Sequence, residues 1–252
     1  MNIGLILVEL VILNKLKVNI LGYSMNKTFL AIIPARGGSK RLPRKNVLDL
    51  CGKPLIAYSI EAGLKSKYIS KVVVSSDDEE ILQISEKFGA DAIKRPNNLA
   101  SDTSSTFDAI EHTINSLEKY NYIVLLQPTS PLRNEKYIDE AIELLIEKNA
   151  DAIVSVCETE HSPLWCNTLD DTLSISNFLS DEVLGKRSQD LPIFYRLNGA
   201  IYICETKKLL ENKSFFLKEN IFAYKMERKN SIDIDTKLDF KIAKIIIGDK
   251  NR

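Results

Sequence analysis

Histidine is almost missing from this chain, and cysteine is sparse. His112 and His161 stand far apart, and Cys51, Cys157, Cys166 and Cys204 form no C-x-x-C pair. A zinc site is therefore not expected, and reduced thiols are. Charge imbalance is also lacking: 34 Lys and Arg face 34 Asp and Glu. That balance removes the usual electrostatic argument for a nucleic-acid coat or a polybasic membrane anchor. Neither G-x-x-x-x-G-K-[ST] nor G-x-G-x-x-G occurs, so ordinary ATPase and dinucleotide readings lose their main support. Long apolar runs are absent as well. The opening "MNIGLILVELVILNKLKVNILGYS" is apolar, yet it lacks a basic leader, carries Glu9 and is interrupted by Asn14, Lys15 and Lys17. It is too short of continuous apolar residues for a membrane span and does not read as a signal peptide. Residues 1–24 are expected to be an extension outside the fold, and 25–252, opening on Met25, to form one large domain.

What is present begins with apolar runs of strand length: "FLAIIPA" (29–35), "KVVVSS" (71–76), "YIVLLQ" (122–127), "DAIVSV" (151–156) and "GAIYIC" (199–204). Their Val and Ile content is that of buried parallel strands. Helical patterns lie between them. "PLIAYSIEAGLKS" places Pro54 at a first helical position, and "NEKYIDEAIELLIEK" repeats Ile138, Ile142, Leu145 and Ile146 at helical spacing. The alternation predicts an α/β, doubly wound and mostly parallel sheet with ligands at the carboxyl ends of its strands. Residues 157–197 break that rhythm and read as an irregular excursion.

The chemistry-bearing stretches fall at those carboxyl ends. "PARGGSKRLPRKN" follows the first strand and sets Arg36, Lys40, Arg41, Arg44 and Lys45 around Gly37 and Gly38. Five cations at a glycine turn predict a phosphate site, because a chain without β-carbons brings its amides close to an anion. "SIDIDT" spaces Asp233 and Asp235 two apart, so that an extended chain presents both carboxylates to one Mg²⁺. "QPTSPLR" offers Gln127, Thr129, Ser130 and Arg133 as donors for a polar ligand. "SSDDEE" (75–80) has capping-box spacing between Asp77 and Glu80 and is assigned a structural role without chemistry.

Together "IIPARGGSKRLPRKN", "RPNNLASDTSS", "LLQPTSPLR", "YRLNGAIYI", "NKSFF" and "SIDIDT", in this order from Ile32 to Thr236, resemble the acylneuraminate cytidylyltransferases, or CMP-sialic acid synthetases. The opening motif alone is shared with Kdo cytidylyltransferases, whereas "LLQPTSPLR" separates the two groups. The resemblance implies a Rossmann-like nucleotidyltransferase fold, CTP and Mg²⁺ as requirements, and a homodimer whose arm, 157–197, helps complete the partner's site; the cytoplasmic location is expected from the reduced thiols. It implies that Ala35, Arg36, Gly37, Ser39, Lys45 and Asn46 hold the triphosphate and nucleotide. Arg95 and the segment carrying Ser104 and Thr106 would recognise cytosine and ribose. Gln127, Asn198, Tyr202, Phe215 and Phe216 match positions lining a sugar site, and Asp233 and Asp235 match the metal ligands.

The implied reaction transfers CMP from CTP to the anomeric hydroxyl of a nine-carbon 2-keto sugar acid and releases pyrophosphate, with Arg36, Lys45 and Asp235 as the catalytic set. The expected acceptor is N-acetylneuraminate or a close nonulosonate. The alternatives are a CMP-legionaminate synthetase, a Kdo cytidylyltransferase, a D-x-D glycosyltransferase and, as a non-enzyme, a nucleotide-binding regulatory module. No nucleic-acid or membrane partner is expected. One departure stands out. Family members read R-R-Q-D-L-P where this chain has Arg187-Ser188-Gln189-Asp190-Leu191-Pro192. In the family the second arginine meets the sugar carboxylate from the partner subunit; with Ser188 in its place, Lys186 or Arg187 is expected to take over that contact.

Overall fold

The computed structural model describes residues 27–101 and 104–250; the expected extension at 1–24 lies outside them. A seven-stranded sheet runs in the order β5-β4-β1-β6-β8-β7-β9. Its strands are β1 (Phe29–Pro34), β4 (Ile69–Ser76), β5 (Asp91–Lys94), β6 (Tyr122–Leu125), β7 (Ala152–Glu158), β8 (Tyr195–Glu205) and β9 (Ile221–Met226). A small hairpin, β2 (Asp49–Leu50) and β3 (Lys53–Pro54), stands apart. The helices are α1 (Leu55–Lys65), α2 (Glu79–Lys87), α3 (Thr106–Asn115), α4 (Glu135–Glu147), α5 (Thr206–Asn212) and α6 (Lys237–Lys250).

Period-two alternation along β1 explains the three layers. Phe29, Ala31 and Ile33 pack with Ile56 and Ile60 of α1, Ile81 of α2 and Ile138 and Ile142 of α4. Leu30 and Ile32 face the other way, toward Ile110 of α3 and Leu209 of α5. The sheet is thus covered on both faces, as expected of a doubly wound fold. Pro54 differs from the sequence reading: its ψ of 144 is extended, so it precedes α1 and the helix starts at Leu55.

All pairings in the large sheet are parallel except those of β8, which runs antiparallel to both β6 and β7. The cause lies in the excursion. The chain leaves the carboxyl end of β7 at Glu158 and re-enters at Tyr195, and the 158–195 register pair places both points side by side. A strand that starts beside the place its predecessor ended must return antiparallel, because a parallel neighbour needs a crossover along the sheet. Between these strands the chain forms two short 3-10 turns, Pro163–Trp165 and Ser188–Asp190, and is otherwise irregular. The excursion is therefore slightly shorter at both ends than 157–197.

Strand order reverses beside β1. The chain moves from β1 to β4 and β5 on one side, then crosses to β6 on the other. The loops after β1 and β6 diverge there and leave a crevice. A third apolar cluster pins this edge: Leu42 from the loop after β1, Leu132 from the loop after β6 and Ile234 from the segment after β9 meet Ala243 and Ile247 of α6.

Candidate active site

A cleft of about 610 Å³ opens at that crevice. Its lining contains Arg36, Ser39, Lys45, Asn46, Arg95, Ser104, Thr106, Gln127 and Asp235, which brings together most of the nucleotide-side residues read from the motifs. Ala35 and Gly37 support the wall as backbone. Ala35 is buried, and its N–H donates to the Ser75 carbonyl at 3.0 Å. Gly37 is required sterically, since a Cβ there would come within 2.6 Å of Asp78 Oδ2, whereas Gly38 faces open space.

Gly37 also exposes a correction. The acidic run after β4 is not merely a helix start. Asp78, rather than Asp77, caps α2, accepting from the Ile81 N–H at 3.1 Å. The same carboxylate pairs with Arg44, which also contacts Glu80. Asp77 accepts from the Gly37 N–H at 3.3 Å and lies 3.5 Å from Arg95 Nη2. The run therefore braces the phosphate loop and consumes Arg44 in doing so. Arg44 holds the Asp78 carboxyl below its usual range. Burial pulls the Arg95 guanidinium down while Asp77 opposes that shift. A sequence signal existed: four consecutive acids directly after a central parallel strand also sit at the ligand edge.

Asn46 is 3% exposed and ties the loop to itself, its Nδ2 donating to the Arg36 carbonyl at 3.1 Å. Its Oδ1 meets no protein donor. Lys45 reaches across to the last motif, with Nζ 2.9 Å from the Ile234 carbonyl and 2.9 Å from Asp235 Oδ1. Arg41 donates to the other Asp235 oxygen at 3.0 Å.

The acidic pair divides in environment. Ile234, fully buried between them, anchors the segment; enclosing such a side chain stabilises it by about 1.5–3 kcal/mol. Asp235 lies at the exposed rim, whereas Asp233 is enclosed and its Oδ1 meets no protein donor. Burial raises the Asp233 carboxyl above its usual range, the Thr129 hydroxyl opposes that shift and the nearby Asp235 charge adds to it. The Ile234 N–H donates to the Thr129 carbonyl at 2.8 Å, so the loop after β6 carries the acidic segment directly.

Gly199 joins this side to Gln127. Its φ is +74, and a Cβ there would lie 3.0 Å from Gln127 Oε1 and 3.4 Å from Asp233 Oδ2. Tyr202 packs with Phe215 at a ring distance of 5.8 Å and with Phe216 at 6.2 Å. Phe215 is a core residue at 8% exposure, while Phe216 is 53% exposed and offers an apolar edge. Burial raises the Tyr202 phenol, and the Asp233 charge adds to that shift.

One sugar-side expectation meets a different geometry. Asn198 is 1% exposed and its amide is fully engaged inside the protein, with Oδ1 accepting from Ser155 at 2.6 Å and Nδ2 donating to Ser231 at 3.0 Å. It acts as a strut beneath Gly199. Arg187 is far out on the excursion and pairs with Asp190, Nε to Oδ2 at 2.9 Å. Within its own chain it does not line the cleft, as a residue expected to reach the partner's site need not. Arg133 likewise differs from its reading as an offered cation, being 1% exposed beneath the loop. A residue the motif reading passed over is Arg196, which grips Glu160 at 3.0 and 3.3 Å and feels the Asp233 charge. Its place two residues before Asn198 on β8 was the available signal.

A doubly wound sheet with a basic, carboxylate-flanked cleft at its switch point defines a nucleotide-binding α/β protein of the nucleotidyltransferase type. The cytidylyltransferase family model matches residues 30–245, and the chain belongs to that family. It is 40% identical over 230 residues to an N-acylneuraminate cytidylyltransferase of Escherichia coli, covering 90% of this chain and 54% of that protein. It is 39% identical to a CMP-N,N'-diacetyllegionaminic acid synthase of Legionella pneumophila, covering 84% and 93%. Against a pseudaminic acid cytidylyltransferase of Campylobacter jejuni it is 38% identical, covering 86% and 95%. The chain thus spans about half the length of the Escherichia coli relative and nearly all of the other two. In fold it is similar to a CMP:2-keto-3-deoxy-manno-octonic acid synthetase complexed with CTP, with a TM-score of 0.68, 19% identity and coverage of 89% and 100%.

Proposed function

We propose that this chain transfers CMP from CTP to the anomeric hydroxyl of a nine-carbon 2-keto sugar acid, N-acetylneuraminate or a close nonulosonate. The observation that carries this reading is one cleft at the strand-order reversal, lined by Arg36, Lys45 and Arg95 together with Asp235, which Lys45 pairs. Relatives named for three different nonulosonates support the acceptor class. The attacking oxygen displaces pyrophosphate from the α-phosphorus in line, and the hydroxyl proton is released. No covalent enzyme intermediate is needed.

Arg36 and Lys45 neutralise charge on the departing pyrophosphate, where fixed donors act most strongly as the bond breaks. Arg95, Ser104 and Thr106, the last at the start of α3, bind the nucleoside. Gln127 and Tyr202 bound the sugar side, and the exposed edge of Phe216 suits an N-acyl methyl group. The unpartnered Oδ1 of Asp233 and the rim carboxylate of Asp235 suit a hard cation, which needs few protein ligands when phosphates complete its shell. Mg²⁺ held there would polarise the phosphoryl group and neutralise its charge.

The excursion supports a homodimer, and the four free cysteines suit a cytoplasm that keeps thiols reduced. Leu169, Leu173, Ile175 and Ile193 are 55–69% exposed on the excursion, apolar surface that a second copy of the chain would cover. Among the described residues no helix is long and apolar enough to cross a membrane. Incubating the purified chain with CTP and N-acetylneuraminate, legionaminate or pseudaminate, and measuring pyrophosphate, tests the reading. Release with at least one acid is expected. Release with none, or turnover of a preformed nucleotide sugar instead, refutes it in favour of a binding module or a D-x-D glycosyltransferase.

A further inference from the structure

Arg133 closes the loop after β6, and it is the largest wholly enclosed side chain among the described residues. Among those residues no carboxylate pairs with it. Desolvation alone acts on the guanidinium and pushes it down to about 9. Nη2 donates to Ser59 Oγ at 2.7 Å and to the Gln127 carbonyl at 3.3 Å, while Nε and Nη1 meet no protein acceptor. Ser59, fully buried on α1, donates to that same carbonyl at 3.1 Å, and the Ser130 N–H approaches it at 3.4 Å. Three donors converge on one peptide oxygen.

An unpaired buried guanidinium is costly, and a methionine of similar reach fills the space without that cost. What the charge secures is the direction of the Gln127 peptide. With its carbonyl drawn inward and Pro128 fixing its own φ and restricting Gln127 before it, the Gln127 side chain is sent toward Gly199 and Asp233, where its Oε1 limits the room above Gly199 to 3.0 Å. Thr129, two residues on, carries the acidic segment through its carbonyl. We propose that Arg133 and Ser59 form a positioning pair that aims Gln127 at the sugar acid. This rests on the sugar-acid reading of the same cleft.

The test compares Arg133→Met, Arg133→Lys and Ser59→Ala, each alone and combined with Gln127→Ala, by KM for the sugar acid, KM for CTP and Tm. Arg133→Met is expected to hold its Tm, raise the sugar-acid KM about tenfold, the worth of one good hydrogen bond, and leave KM for CTP within about twofold. That effect should vanish on the Gln127→Ala background, and Arg133→Lys should restore part of it. A fall in Tm with both KM values rising together, or full additivity with Gln127→Ala, overturns the proposal. Should Arg133→Met fail to fold, Ser59→Ala decides by the same split and the same cycle. If the wild-type chain releases no pyrophosphate with any sugar acid, the substrate reading fails by itself, and crystals of Ser59→Ala and Arg133→Met decide the positioning. Gln127 turned away from Gly199 supports it, and Gln127 unmoved refutes it.

Discussion

At the scale of single residues, Lys45 and Asp235 depend on each other. Lys45 Nζ holds both the Asp235 carboxylate and the Ile234 carbonyl, so its removal loosens the acidic segment as well as deleting a phosphate contact. Lys45→Ala and Arg36→Ala should each lower kcat/KM by the equivalent of about 2–4 kcal/mol, measured under steady state with CTP varied. Unchanged values in both would return the loop to a solvated charge run. Asp233→Asn and Asp235→Asn should cut kcat by at least about a hundredfold with little loss of Tm. Near-normal rates at limiting Mg²⁺ in both variants would sink the metal assignment. These residues were legible because each belongs to a short contiguous motif. Asn198 was legible only as part of a motif; that its amide is spent on Ser155 and Ser231 depends on residues 43 and 33 positions away. Arg133 illustrates the same limit, since sequence gives a cation's presence and not whether it faces a ligand or a carbonyl beneath the loop.

At the scale of elements, α2 connects stability to the phosphate loop through Asp78. This carboxylate caps the helix and pairs with Arg44. Asp78→Ala should cost about 1 kcal/mol for the cap, and somewhat more for the partly screened ion pair, lowering Tm by about 2–4 °C per kcal/mol in a chain of this size. Because Arg44 depresses the Asp78 pKa, this stabilisation is fully present above the ordinary carboxylate value of 3.8 and is lost as pH falls through the depressed value. The Tm gap between wild type and Asp78→Asn should therefore be constant near neutral pH and close below about pH 4. A gap that widened on acidification would contradict the assignment. Five strands of the large sheet were readable as Val- and Ile-rich runs. The two missed, β5 and β9, are its edges: "DAIK" is only four residues long and begins and ends on a charge, and "IFAYKM" buries only Tyr224 and Met226, so neither carries a Val- and Ile-rich run. The direction of β8 was not readable either, because it follows from where the excursion returns and not from side-chain pattern.

At the scale of the whole molecule, the excursion between β7 and β8 carries the largest group of exposed large apolar side chains among the described residues. A Leu173→Asp, Ile175→Asp double variant should shift the protein from dimer to monomer in light scattering after gel filtration, with the core Tm transition retained. A wild-type monomer at every concentration would remove the homodimer from the proposed function. The network around the cleft has another consequence, this one for kinetics. Arg41 and Lys45 stand on Asp235, Arg44 on Asp78 and Glu80, and Arg95 beside Asp77, in a chain with formal net charge +0. At a distance beyond a Debye length these pairs cancel, so an approaching polyanion feels little of the attraction that a bare basic patch would exert. The association rate of CTP, followed by stopped flow, should change by less than about threefold between low and high salt, while the dissociation rate carries most of the salt dependence of affinity.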